Sequence, residues 1–297
     1  MSSTSDRQTR RRVAARKTGV SRKKKPARSA KRKAKFWAVG WVASWMARWG
    51  YGARGAIYLM IGISAALTTF DPSHRPGGFT KSLTLLQHHW TGGVILVVLA
   101  LGMACFAGWL AVSAIYRRDH PGRAHAVLVV GSLGDAAVYV AFMASVLGMV
   151  FGAHAGGDDE LQSWIAWVNG SGVGAVLVGG TGVAVAACGL WLVGWGAVGD
   201  IEGPLELPPI EKQLMLPIGR YGTAGRGGAI ALVGFYLLLS AIHGNPREAH
   251  ELGGVLKEMR GLPFGAAITG AFALAFIGSA VLDFAVAVFR HFNPAQP

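Results

Sequence analysis

Charge is what this 297-residue sequence has least of: Asp, Glu, Lys and Arg make up 15%, against 52% hydrophobic residues. An ordinary soluble domain carries about a quarter charged residues, so that class is excluded and a membrane protein is implied. Cysteine is nearly absent. Cys105 and Cys188 both sit in apolar runs and read as packed small hydrophobes, not as a disulfide or a metal site. Also missing are His-Glu-x-x-His, a phosphate-binding Gly-x-x-x-x-Gly-Lys and a Gly-x-Ser-x-Gly nucleophile elbow. The run Gly179-Gly180-Thr181-Gly182 lies inside an apolar span, where it cannot follow a strand, so it reads as helix packing. Six of the nine histidines, His74, His88, His89, His154, His243 and His250, fall in or beside the loops of one side, but in no metal-ligand spacing. The sequence therefore predicts a non-enzymatic protein with no cofactor and no metal.

The formal charge of +14 comes from one place. Residues 1–35 hold 15 of the 29 basic side chains and a single acid, Asp6, while the rest of the chain is balanced. This stretch has no apolar periodicity and repels itself, which predicts a disordered polybasic tail. It lacks the short apolar core and cleavage site of a signal peptide. Next to a membrane helix such a tail sets topology and binds anionic lipid. Binding to the phosphates of nucleic acid is the second reading.

Apolar stretches long enough to cross a bilayer occur six times, at 53–70, 92–116, 126–152, 172–198, 227–242 and 264–289. The first and fifth are short and need their polar N-terminal flanks to reach full length. Lys and Arg in the short loops place the tail, Arg117, Arg118, Arg123, Lys212, Arg220 and Arg290 on one side. The positive-inside rule makes that side cytoplasmic, with both termini. The expected location is the bacterial cytoplasmic membrane, multi-pass. Short amphipathic pieces at 82–90, 161–168 and 249–259 are expected as outer lids.

A repeated opening organises these spans. Gly50-Tyr51-Gly52-Ala53-Arg54-Gly55 leads into span one and Gly222-Thr223-Ala224-Gly225-Arg226-Gly227 into span five. Between them Gly131-Ser132-Leu133-Gly134-Asp135-Ala136 keeps the rhythm with Asp in place of Arg. The charged positions are 81 and 91 residues apart, and Tyr58 and Tyr139 each follow their charge by four. The predicted fold is all-α, six transmembrane helices as three parallel two-helix repeats around a pseudo-threefold axis. Its parts are the tail at 1–35, a Trp-rich interfacial helix at 36–49, repeats at 50–118, 126–198 and 220–291, and a cytoplasmic Pro-rich loop at 199–219.

With these openings, and with Pro263-Phe264-Gly265 entering span six, the chain resembles the bacterial membrane family known as domain of unknown function 1206. That resemblance covers about residues 49–289 and implies three tandem two-helix repeats. It implies no activity. Asp135 departs from the family-like Arg pattern.

Two sets of residues stand out as site candidates. Arg54 lies 17 residues before Asp71, Arg226 lies 17 before His243 and Asp135 lies 19 before His154, while Asp283 follows Pro263 by 20. At 1.5 Å per residue these four share nearly one depth, a charged layer in the cytoplasmic leaflet. Charges at such depth are costly unless paired, so a structural network is the first reading and an anion, proton or cation site the second. If Arg54 and Asp135 pair, Asp135→Arg disrupts folding and Arg54→Asp compensates. The second set is Trp37, Trp41, Trp45 and Trp49, a stripe of period four suited to the headgroup level. The functional expectation is an interaction or envelope-organising module. The alternative is a small transporter or channel for an ion, anion or lipid that uses the charged layer. An axial cavity reaching Arg54, Asp135 and Arg226 would favour transport. Beyond the lipid bilayer, no partner or oligomeric state is readable.

Overall fold

The structure is a computed structural model that describes residues 28–70, 83, 91–116, 123–152, 157–199 and 209–289. The chain divides into two units, residues 1–41 and 42–297. Described residues are almost wholly helical: α1 (Arg28–Phe70), α2 (Gly92–Tyr116), α3 (Arg123–Val150), α4 (Gly157–Asn169), α5 (Gly174–Val198), α6 (Pro209–His243), α7 (Leu252–Arg260) and α8 (Gly265–Phe289). Hydrocarbon offers backbone groups no water, so long apolar runs satisfy their hydrogen bonds internally as helices. Among the described residues six helices are long and apolar enough to cross a membrane, which makes this a multi-pass membrane protein.

The two short spans are completed as the flanks required. The first runs over Ser44–Phe70 and the fifth over Met215–His243, each taking in its polar opening. Three boundaries differ from the sequence reading. Residues 28–35, assigned to the disordered tail, are the start of α1, and residues 1–27 lie outside the described residues. The segment 36–49 is not a separate element, because α1 continues through it into the span. Nor is 199–219 all loop, since α6 begins at Pro209 and tolerates Pro217 in its interior. In each case the apolar pattern marks where lipid is, whereas helix persists as far as backbone hydrogen bonds can be made.

Glycine decides how closely the helices approach. On α5 the buried positions include Gly182, Gly189 and Gly196, each seven residues from the next. They meet α6, where Gly227 and Gly234 keep the same interval: a Cβ on Gly189 would lie 2.6 Å from the Gly227 carbonyl oxygen. Seven-residue spacing keeps one seam facing one neighbour, as in a shallow left-handed crossing. Close contacts also join α6 to α8, where Gly222 lies against the Gly278–Ser279 backbone, and α1 to α8, where Gly62 lies against Ile277. Against α2, α1 packs Gly50 on Phe106.

On the side holding the 3₁₀ turn Pro246–Glu248, the segments 161–168 and 249–259 fall on the helices α4 and α7. The acidic first turn of α4, Asp158 to Glu160, suits the positive end of its dipole. Asp158 accepts from the Glu251 amide at 2.7 Å and faces His250 Nδ1 at 3.2 Å, so it ties α4 to the entry of α7. Gly244, in the left-handed region, closes α6 by letting the Asn245 amide bond back to the Ser240 carbonyl. Of 82–90 only Leu83 is described, and it is buried.

Candidate functional site

Arg54 on α1 and Asp283 on α8 form the centre of the charged layer. Arg54 Nε donates to Asp283 Oδ2 at 2.8 Å, and Nη2 donates to Oδ1. This fork-on-fork geometry is the strongest form of an Arg–carboxylate pair. The Asp283 residue is 2% exposed. The guanidinium lies over the Tyr51 and Phe106 rings, 4.7 Å from each centroid, so its remaining faces are covered by π systems. Phe106 also stands edge-on to Tyr139 of α3, with centroids 4.6 Å apart.

Arg226 on α6 is handled differently. Its Nη1 donates to the Tyr58 hydroxyl of α1 at 3.3 Å, and its guanidinium lies 5.2 Å from that ring's centroid. Its Nε is buried and has no hydrogen-bond partner. Tyr139 lies within electrostatic reach of Tyr58 and of both guanidinium groups. The structure thus brings together Arg54, Asp283 and Arg226, and adds Tyr51, Tyr58, Phe106 and Tyr139.

Asp135 does not join them as a pair. It senses the field of both arginines and of Cys188 on α5, yet its side chain is exposed. Among the described residues, Asp283 is the carboxylate within ion-pair distance of an intramembrane arginine. The expected Arg54–Asp135 exchange is therefore replaced by Arg54–Asp283. A depth count ranks residues along the membrane normal but says nothing of their azimuth around the bundle, and azimuth chose the partner.

Of the Trp stripe, Trp41, Trp45 and Trp49 are exposed, and the side chain of Trp37 lies outside the described residues. Trp45 and Trp49 border a groove of about 410 Å³ that also touches α2 and α8. A second, open hollow of about 490 Å³ runs along α5 from Val176 to Cys188. Neither is an axial cavity reaching the arginines. The aromatic cover of Arg54 went unnoticed in the sequence. Only the Tyr58 and Tyr139 offsets hinted at it, as repeat markers. The seven-residue spacing of Gly182, Gly189 and Gly196 on α5 was also legible in the sequence.

Burial is uneven among the spans. In α2 and α8, 44% and 50% of the most apolar window is buried, whereas α3 and α5 each bury 17%.

Comparison with known proteins follows the same division. The model of the family described as Domain of Unknown Function (DUF1206) matches residues 49–117 and 221–290. Similar over a longer stretch is the uncharacterized protein YxxB of Bacillus subtilis (strain 168), 25% identical over 247 residues, covering 82% of this chain and 89% of that one. An alignment of that length must run into the middle pair, which the family model does not reach. No solved structure matches. The likeness suggested by the repeated openings at 50–55 and 222–227 thus holds beyond the motifs: this chain is a multi-pass membrane protein that matches the DUF1206 family model at 49–117 and again at 221–290.

Proposed function

We propose that this is a non-enzymatic protein of the bacterial cytoplasmic membrane, with both termini cytoplasmic, that acts as an interaction or envelope-organising module. In this reading three two-helix units surround a common axis. The outer pairs supply a rigid, charge-locked frame and the middle pair, α3 with α5, presents the contact surface to another membrane protein. One observation carries the reading: the middle pair is the least buried part of the bundle and holds the exposed Asp135. An exposed carboxylate within a membrane span is costly, so a protein partner that covers this face would relieve that penalty. Leu190 and Trp191, both exposed on α5, belong to that surface. The basic tail adds attraction to anionic lipid, and nucleic acid is a weaker competitor for it.

A photo-crosslinking side chain at Trp191, compared with one at buried Val178 and used in intact membranes, tests this. A discrete protein adduct at 191 alone is expected. Adducts to lipid only would sink the module reading. The second reading, carriage of a proton, cation or anion, draws on Asp135 lying near Arg226 and Cys188. Proteoliposomes loaded with a pH dye decide it: flux that disappears in Asp135→Asn favours a carrier.

A further inference from the structure

The groove beside the Trp stripe belongs to neither reading above and has its own chemistry. Its floor is Gly52, Ala53 and Ala56 of α1, and its sides are Val98 and Leu99 of α2 and Phe284 of α8. Trp45, Arg48 and Trp49 form its rim at the end nearer the basic tail. From Arg48 to Ala56 is eight residues, about 12 Å of helix. All three contributing helices are membrane spans, so what meets this groove is lipid or protein, not bulk water.

We infer that the groove is a binding site for one anionic phospholipid, with the acyl chain on the small-residue floor and the phosphate at Arg48. Three features select this occupant. The walls are apolar, and a volume of about 410 Å³ suits a flexible acyl chain. Trp45 and Trp49 flank the entrance with the side chain favoured at the headgroup level. Arg48 is an exposed cation at the point where a headgroup would emerge, and the chain before it carries most of the excess positive charge.

Glycine usage separates this site from ordinary helix packing. Gly50, Gly55 and Gly62 on the same helix are crowded: a Cβ there would meet Phe106, Ala280 or Ile277 within 3.3 Å. At Gly52 an added Cβ meets nothing within 4 Å. No packing contact of α1 requires that glycine, and its missing side chain leaves the floor open.

Gly52→Leu places its Cβ where nothing lies within 4 Å and extends a side chain into the groove, with a better helix former. The experiment uses the full chain, purified in detergent and offered equal amounts of phosphatidylglycerol and phosphatidylethanolamine, with bound lipid identified by native mass spectrometry. The parent is expected to retain one phosphatidylglycerol in preference to phosphatidylethanolamine. Arg48→Gln is expected to keep the lipid but lower that preference about fivefold, the effect of one basic residue near the surface. Gly52→Leu is expected to lose the retained lipid while its helical content and melting temperature match the parent. Because the tail is intact in all three, lipid held by the tail alone would be unchanged across them. An unchanged phosphatidylglycerol adduct in Gly52→Leu overturns the site, and so does retention without headgroup preference in the parent.

Discussion

Asp283 on α8 and Asp135 on α3 are both carboxylates in membrane-spanning helices, at similar expected depth. One is buried and held by two bonds from Arg54; the other is exposed, with no guanidinium in pairing distance among the described residues. The same contrast extends to their helix pairs. The first and third pairs bury α2 and α8 deeply and close their charge inside aromatic rings, while α5 is buried along little more than a glycine seam. Two pairs that close their charge and contacts on each other form a frame. A pair that leaves most of its apolar face open has stability to gain from a neighbour. The family match at 49–117 and 221–290 falls on the two closed pairs.

The sharpest break in this comparison comes from the ion pair. Asp283→Ala leaves Arg54 buried without its partner, and the expected loss is about 3–5 kcal/mol of stability. Thermal unfolding in detergent, followed by circular dichroism, should show a large drop. The double exchange Arg54→Asp with Asp283→Arg is expected to recover part of it. If Asp135→Asn destabilises as much as Asp283→Ala, the contrast between closed and open charge is wrong.

A smaller effect is expected at the seam between the middle and third pairs. Gly189→Leu forces a side chain into the α6 backbone at Gly227 and Ala231, and overpacking of this kind typically costs about 1–3 kcal/mol. Gly180→Leu serves as the control, because its Cβ would meet nothing. The same unfolding assay compares them.

Smallest of all are changes on the open face. Asp135→Asn and Leu190→Ala are each expected to leave the melting temperature of the isolated protein within about 1 °C, as for exposed substitutions that remove no hydrogen bond or ion pair. Their effect belongs in native membranes, where crosslinking through the middle pair should weaken. A melting shift as large as that of Gly189→Leu would show that this face is already packed within one chain.

Much of the architecture was written in the residues. Runs of apolar side chains cannot leave backbone groups unsatisfied in lipid, so the six spans and their approximate ends followed from composition and length. The need of spans 53–70 and 227–242 for their polar flanks followed from membrane thickness. Helix ends were less legible. Residues 28–35 and 209–219 are polar and were assigned to tail and loop, yet helix carries through both.

Of the charged layer, the sequence by itself determined which residues are costly in a membrane and roughly how deep each lies, because rise per residue is fixed. It also held, in the seven-residue glycine interval on α5 and α6, the instruction for a close seam. Only tertiary structure decided that Arg54 takes Asp283 and not Asp135, and that Arg226 takes the Tyr58 hydroxyl. It also left Gly52 facing open space while Gly50 meets Phe106. Each of those outcomes depends on the angle at which one helix faces another, which is set by the packing of the whole bundle and by no local pattern.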